Sequence, residues 1–150
     1  MAFDITNTLR KVESFLAGSG YFSNTGIGEP SSPPDQLSAH IWMTSVDTPE
    51  IPLDGGDIQH HVVMVRIYKP AFEDPTEDIE LELSNTLSQL LSDILGDADL
   101  GATVRHVDAG GIYGTTLAAQ WGHLDQNGRI YRVVDVSLPL VVDGSSTISV

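Results

Sequence analysis

Residues 117–144, LAAQWGHLDQNGRIYRVVDVSLPLVVDG, constrain the fold more than any other part of the chain. Two runs rich in β-branched, aromatic and aliphatic side chains flank Asp125-Gln126-Asn127-Gly128, where Asn-Gly supplies the positive φ that a tight hairpin turn needs. The segment therefore reads as two long strands. On the second arm Ile130, Val134, Val136, Leu138, Leu140 and Val142 share one face, and on the first arm Leu117, Ala119 and Trp121 share one. A two-residue or a four-residue loop ending at Gly128 pairs odd positions of the first arm with even positions of the second. Both apolar sets then meet on the same side, so the register supports itself. Trp121 falls opposite or diagonal to Arg132, within reach of a cation–π contact. Pro139 has no N–H to donate, which predicts that the far part of the last strand is an edge or leaves the sheet.

Upstream, the period of the apolar residues changes. Ile5, Leu9, Val12 and Leu16 fall at helical spacing over residues 3–17, and Gly18 and Gly20 stop that helix. Residues 18–36 are rich in Gly, Ser and Pro and read as a long irregular connection. From 37 to 43, Leu37, Ala39, Ile41 and Met43 alternate with Ser38, His40 and Trp42, the pattern of a half-buried strand with an exposed tryptophan. A second loop over 47–59 leads into 61–68, apolar on both faces through Val62, Val63, Met64, Val65 and Ile67, which predicts a central strand covered on both sides. A helix follows. Asp74 is placed to cap it, Pro75 suits its first position and Glu77 completes a capping-box-like pair. Ile79, Leu83, Leu87, Leu90 and Ile94 form its buried stripe before Gly96. Residues 102–107 read as a short strand and 108–111 as a turn. The sum is one domain of α+β class spanning residues 1–150, with a mainly antiparallel, mixed sheet packed with two main helices, a long C-terminal β-hairpin and a tail at 145–150.

A chain of 150 residues buries roughly 68–70 % of its unfolded surface, enough for one real core. It has no cysteine, so packing alone must hold it, which fits a reducing compartment. No apolar run is long enough to suggest a membrane span and residues 1–20 lack the layout of a cleavable signal, so a protein made in the cytoplasm and independent of membranes is expected. The 21 acids against 7 Lys plus Arg give a net charge of −14. That balance disfavours tight DNA binding, which requires a basic footprint to release counterions from phosphate. Acidity can reflect solubility alone. A surface that must not hold DNA is the sharper reading.

Catalytic constellations are thin. His60-His61 with Asp57, and His106 with Asp108, carry ligand-type side chains, but their spacing matches no zinc frame and histidine on a strand is commonly an ordinary pairing residue. The glycines at 18, 20, 26 and 28 follow a helix rather than a strand and so do not form a phosphate cradle. Nothing in the sequence asks for a cofactor or a metal, and no enzyme activity is expected.

Four segments taken in order, GEPSSPPDQLSAHIWMTSV (28–46), VMVRIYKPAFEDPTEDIE (63–80), LGATVRHVDAGGIYG (100–114) and AAQWGHLDQNGRIYRVVDVSLPLVVDG (118–144), resemble tail terminator proteins of long-tailed, siphovirus-type bacteriophages, especially those infecting actinobacteria. The likeness lies in the order and spacing of structural pieces. It implies an α+β subunit of a homohexameric ring in the virion, at the junction of tail and neck. Such a ring caps the head-proximal end of the tail tube, stops tube polymerisation, docks to a head-completion or stopper protein and leaves a channel for DNA. Under this resemblance Trp42, Trp121, Tyr131 and Arg132 become candidates for the subunit or partner interface, and Asp47, Glu50, Asp54, Asp57, Glu73, Asp74 and Glu77 for the acids lining the channel. The other readings are a different neck component, such as a head–tail stopper or tail-completion protein, or a small acidic binding domain or enzyme.

Overall fold

Alternating apolar residues build the sheet, and two amphipathic helices close one side of it. The computed structural model describes residues 5–30, 34–48, 58–71, 75–97, 106–126 and 128–143. In chain order these form α1 (Ile5–Ser19), β1 (Asn24–Ile27), β2 (Ser38–Asp47), β3 (Ile58–Pro70), α2 (Thr76–Gly96), β4 (His106–Val107), β5 (Ala118–Gln126) and β6 (Arg129–Asp143). The six strands occupy five positions, because β5 and β4 lie one after the other along the same side of β6, giving the order β1-β2-β3-β6-β5/β4. All pairings are antiparallel except that of β1 with β2, which is parallel and makes the sheet mixed. The fold class is thus α+β, with a mixed sheet and two helices.

The hairpin register is the one the apolar faces demand. Trp121 lies opposite Val134 and Gln126 opposite Arg129, leaving a two-residue loop at 127–128. Gly128 takes φ +80°, a value L side chains rarely adopt, and its N–H donates to the Asp125 carboxylate. Even-numbered residues of β6 and odd-numbered residues of β3 face the helices. There Val63, Val65, Ile67, Val134, Val136, Leu138 and Leu140 pack with Val12 and Leu16 of α1 and with Ile79, Leu83, Leu87, Leu90 and Ile94 of α2. Burial of each large side chain in this layer contributes about 1.5–3 kcal/mol before chain entropy is subtracted.

Several expectations need correction. The irregular stretch 18–36 contains β1, whose four residues pair with Ser38–Ile41; a strand so short leaves no periodic trace in sequence. Pro139 is not on an edge: β6 is an inner strand, with β3 on one side and β5 and β4 on the other. The carbonyl of Pro139 accepts the N–H of Asp108, on the side where β4 has ended and β5 not yet begun. In a strand a residue's N–H and C=O point the same way, so the missing donor falls in a gap in the neighbouring strand. Helix α2 starts one residue late: Pro75 is the N-cap, extended at φ −58° and ψ 146°, with no side-chain cap bond, while Asp74 lies outside the described residues. Residues 102–105 and 145–150 also lie outside them, and of the predicted short strand His106 and Val107 are described.

The helix-free face is covered in two places by loops. At the hairpin end, Tyr68 and Tyr131 meet edge to face with centroids 6.0 Å apart, and Val133 and Leu124 pack against them. The chain between β1 and β2 crosses above: Tyr131 donates its hydroxyl to the Pro34 carbonyl at 2.8 Å, and Gln126 donates to that of Pro30 at 3.3 Å. At the opposite end, the turn after β4 covers His60 of β3. Replacing Tyr131 with Phe leaves the buried Pro34 carbonyl without its donor, which should cost about 1–3 kcal/mol in urea denaturation. A loss under about 0.5 kcal/mol would mean that this loop is not held by that bond.

Candidate functional site

Of the ionisable and aromatic side chains singled out in the sequence, those the structure describes lie on the outer surface, in the two covered ends of the helix-free face or, for His61, between sheet and helices. Trp42 is half-buried rather than exposed. It lies opposite Met64, and the Arg66 guanidinium sits over its ring at 5.3 Å from the centroid. Arg66 in turn donates from Nε and Nη2 to both carboxylate oxygens of Asp135, at 2.6 and 2.9 Å. That paired hydrogen bonding raises the guanidinium pKa further above its ordinary value, the facing charge adding to it against the opposing effect of burial. The indole under a guanidinium is therefore Trp42 rather than Trp121. Arg132 is directed elsewhere, to Glu80 of α2 and to the Gly122 carbonyl.

Tyr131 is the clearest correction. Expected at an interface, it is 0 % exposed within this subunit, because the loop before β2 crosses it and takes its hydroxyl. Trp121 remains open, with 41 % of its surface accessible, as does Ile130 on the same face of the hairpin at 52 %. Asp47, at the end of β2, and Glu77, in the first turn of α2, are exposed. Glu50, Asp54, Asp57, Glu73 and Asp74 lie outside the described residues.

The adjacent histidines of β3 point to opposite faces, as alternation requires, and both are buried. His61 faces the helices, with Nδ1 3.1 Å from the Thr8 hydroxyl and Nε2 2.8 Å from Gln59 Oε1. Burial pushes its pKa below the ordinary 6.5, and neighbouring His60 pushes the same way. Burial likewise lowers that of His40, against a hydrogen bond to the Gly28 carbonyl. His60 faces the other side. Its Nε2 lies 3.6 Å from Asp108 Oδ2 and its ring 5.6 Å from that of Tyr113. The structure thus joins His60 to Asp108, a pairing across two segments that sequence spacing had kept apart. Asp108 is committed to its own turn, accepting the N–H groups of Ile112 and Tyr113 at 2.9 and 3.0 Å, and both ring nitrogens of His60 lack a hydrogen-bond partner. No three metal-ligating side chains converge among the described residues.

A cavity of about 590 Å³ opens between the C-terminal ends of α1 and α2, lined by Ser14, Phe15, Gly18, Ser19, Ser92, Asp93, Gly96 and Asp97. Two helix C-termini and two carboxylates make it negative. Asp93 of that lining accepts the Tyr21 hydroxyl. The lining offers a nucleophile type in serine but no histidine or lysine to activate it.

Because His61 and His40 are held neutral in the fold, the unfolded chain binds more protons once the pH drops below the ordinary histidine value. Their contribution to stability is complete above pH 6.5 and is lost as pH falls through it. The urea midpoint should therefore decline between pH 7.5 and 5.5, and His61→Gln should flatten part of that decline. Equal slopes in the two proteins would contradict the assignment.

No helix among the described residues is long and apolar enough to cross a membrane. Comparison of the chain with protein-family models gives no match, and comparison with curated proteins gives none either.

Proposed function

We propose that this protein is a structural subunit of a ring, a homohexamer, that caps the head-proximal end of a long phage tail tube and provides the joint to the head. The observation that carries this reading is the ordered likeness of segments 28–46, 63–80, 100–114 and 118–144 to tail terminators. Those segments hold most of β2 and β3, the start of α2, and all of β4, β5 and β6. What resembles the family is therefore the scaffold itself. The α+β class and the mixed sheet with helices agree with what the likeness implies. A ring subunit must also present two different surfaces, one to each neighbour, since closed cyclic symmetry joins unlike patches head to tail. An open sheet with separate edges at β1 and β5 supplies them.

The role is architectural. The ring meets the tube protein on one side and a head-completion protein on the other, and DNA passes through its centre without being read. Acids toward the channel, with Asp47 the described candidate on the sheet, suit that passage. Lysine or arginine there would add counterion-release energy at every phosphate and hold the DNA back. At physiological salt the field of a charge decays over about 8 Å, so only acids that border the channel affect the DNA.

A phage from which this coding sequence is deleted should make heads together with overlong or unjoined tails, because nothing competes with the next tube ring for the growing end. Electron micrographs of lysates that show tails of normal length joined normally to heads would exclude the role.

A further inference from the structure

Helix α1 is fastened to the sheet in two chemically different ways. Its second half is held by Val12 and Leu16, both buried in the apolar core. Its first half is held by a polar contact. Of residues 5–11, Thr8 is the one that is buried, while Ile5 is exposed and Leu9 half-buried. Beneath Thr8 lies His61 of β3, itself 0 % exposed, with Nδ1 3.1 Å from the Thr8 hydroxyl. A titratable imidazole thus stands where the buried stripe of a helix usually meets an aliphatic side chain.

The contacts of this imidazole suit its neutral form. Gln59 Oε1, 2.8 Å from Nε2, can only accept, so Nε2 carries the hydrogen and Nδ1 accepts the hydroxyl of Thr8. A second proton on Nδ1 would turn that acceptor into a donor and force the Thr8 hydroxyl out of its bond. The surroundings supply no counter-charge among the described residues. The partner of His61 on β2 is Val46 and on β6 Leu140, α1 contributes Thr8, and Gln59 and His60 stand beside it on β3. A charge on His60 would repel one on His61. On α1 the described charges nearest Thr8 are Arg10 and Lys11, both exposed and of the sign an imidazolium would carry. On α2, Glu80, Glu82 and Asp93 engage Arg132, Lys69 and Tyr21 instead.

We infer that the first half of α1 is an arm that a proton on His61 releases from the sheet, while Val12, Leu16 and the rest of the fold stay in place. Once the arm lifts, the imidazole reaches water and takes its second proton without leaving a buried group unpaired. Burial holds the docked imidazole below the ordinary 6.5, so the docked form binds fewer protons than the open one. Docking is therefore favoured above that pH and weakened below it. The arm works within one subunit and does not require the oligomer proposed above.

Amide hydrogen exchange of the full chain, resolved by NMR and corrected for the intrinsic effect of pH, tests the arm. Between pH 7.5 and 5.5 the opening constant at Leu9, Arg10 and Lys11 should rise about tenfold, the change expected when only the open form takes up the proton. Low urea should speed exchange at Leu87 and Leu90 of α2 and leave the three α1 amides unchanged, because lifting one arm exposes little surface. Equal urea dependence in both helices would mean that α1 opens only with the whole fold, and an opening constant independent of pH would remove the proton from the account. His61→Gln, which cannot take up the proton, should abolish the rise, and its persistence would assign the effect to another group. Thr8→Val leaves Nδ1 without its donor and should open more at both pH values with the same ratio between them. Unchanged opening in that variant would show that Thr8 does not hold the arm.

Discussion

The antiparallel pairing of β3 with β6 is the interaction on which the rest of the structure depends. Thirteen residues of β3, from Ile58 to Pro70, are matched one for one with residues 143 to 131. Because side chains alternate, this single register decides which residues meet the helices and which are left for the loops. It sets Val63, Val65 and Ile67 with Val134, Val136 and Leu138 under α1 and α2. It also puts Arg66 opposite Asp135 and Tyr68 opposite Val133 on the other side. A slip of one residue would expose the core and bury the ion pair.

Legibility in the sequence followed this division. The stripe of α2 was readable residue by residue, since five aliphatic side chains at helical spacing over a long segment have no competing explanation. The hairpin was readable for a related reason, because turn chemistry and alternation agreed. What the sequence concealed was decided by contacts between distant segments. Tyr131 resembles an exposed aromatic on a strand until the chain near Pro34 is known to cross it. Pro139 resembles an edge residue until β5 and β4 are known to leave a gap beside it. Neither fact has a local signature. β1 was missed because four residues carry no period, although the parallel contact it makes decides which edge of the sheet is outermost.

The same limit applies to the surfaces. Trp42 and Trp121 are alike in sequence, each on an alternating strand, yet Trp42 is half-buried beneath Arg66 while Trp121 stands exposed on an outer strand. Strand order, which no short motif encodes, separates them. Histidines 60 and 61 invite a metal or proton-transfer reading as a pair, but alternation divides them between two faces, one beside Thr8 and the other beside Asp108. Charge was legible as a total and not as a pattern. Four of the seven basic residues meet acids within the subunit, which leaves few to offset the remaining acids of the surface.

The central claim is that this chain works as one member of a closed ring. Native mass spectrometry of the purified protein and of isolated virion necks tests it directly, since six copies of a 16.1 kDa subunit are readily distinguished from one. The account predicts a hexamer in at least one of the two preparations. A monomer in both would contradict it.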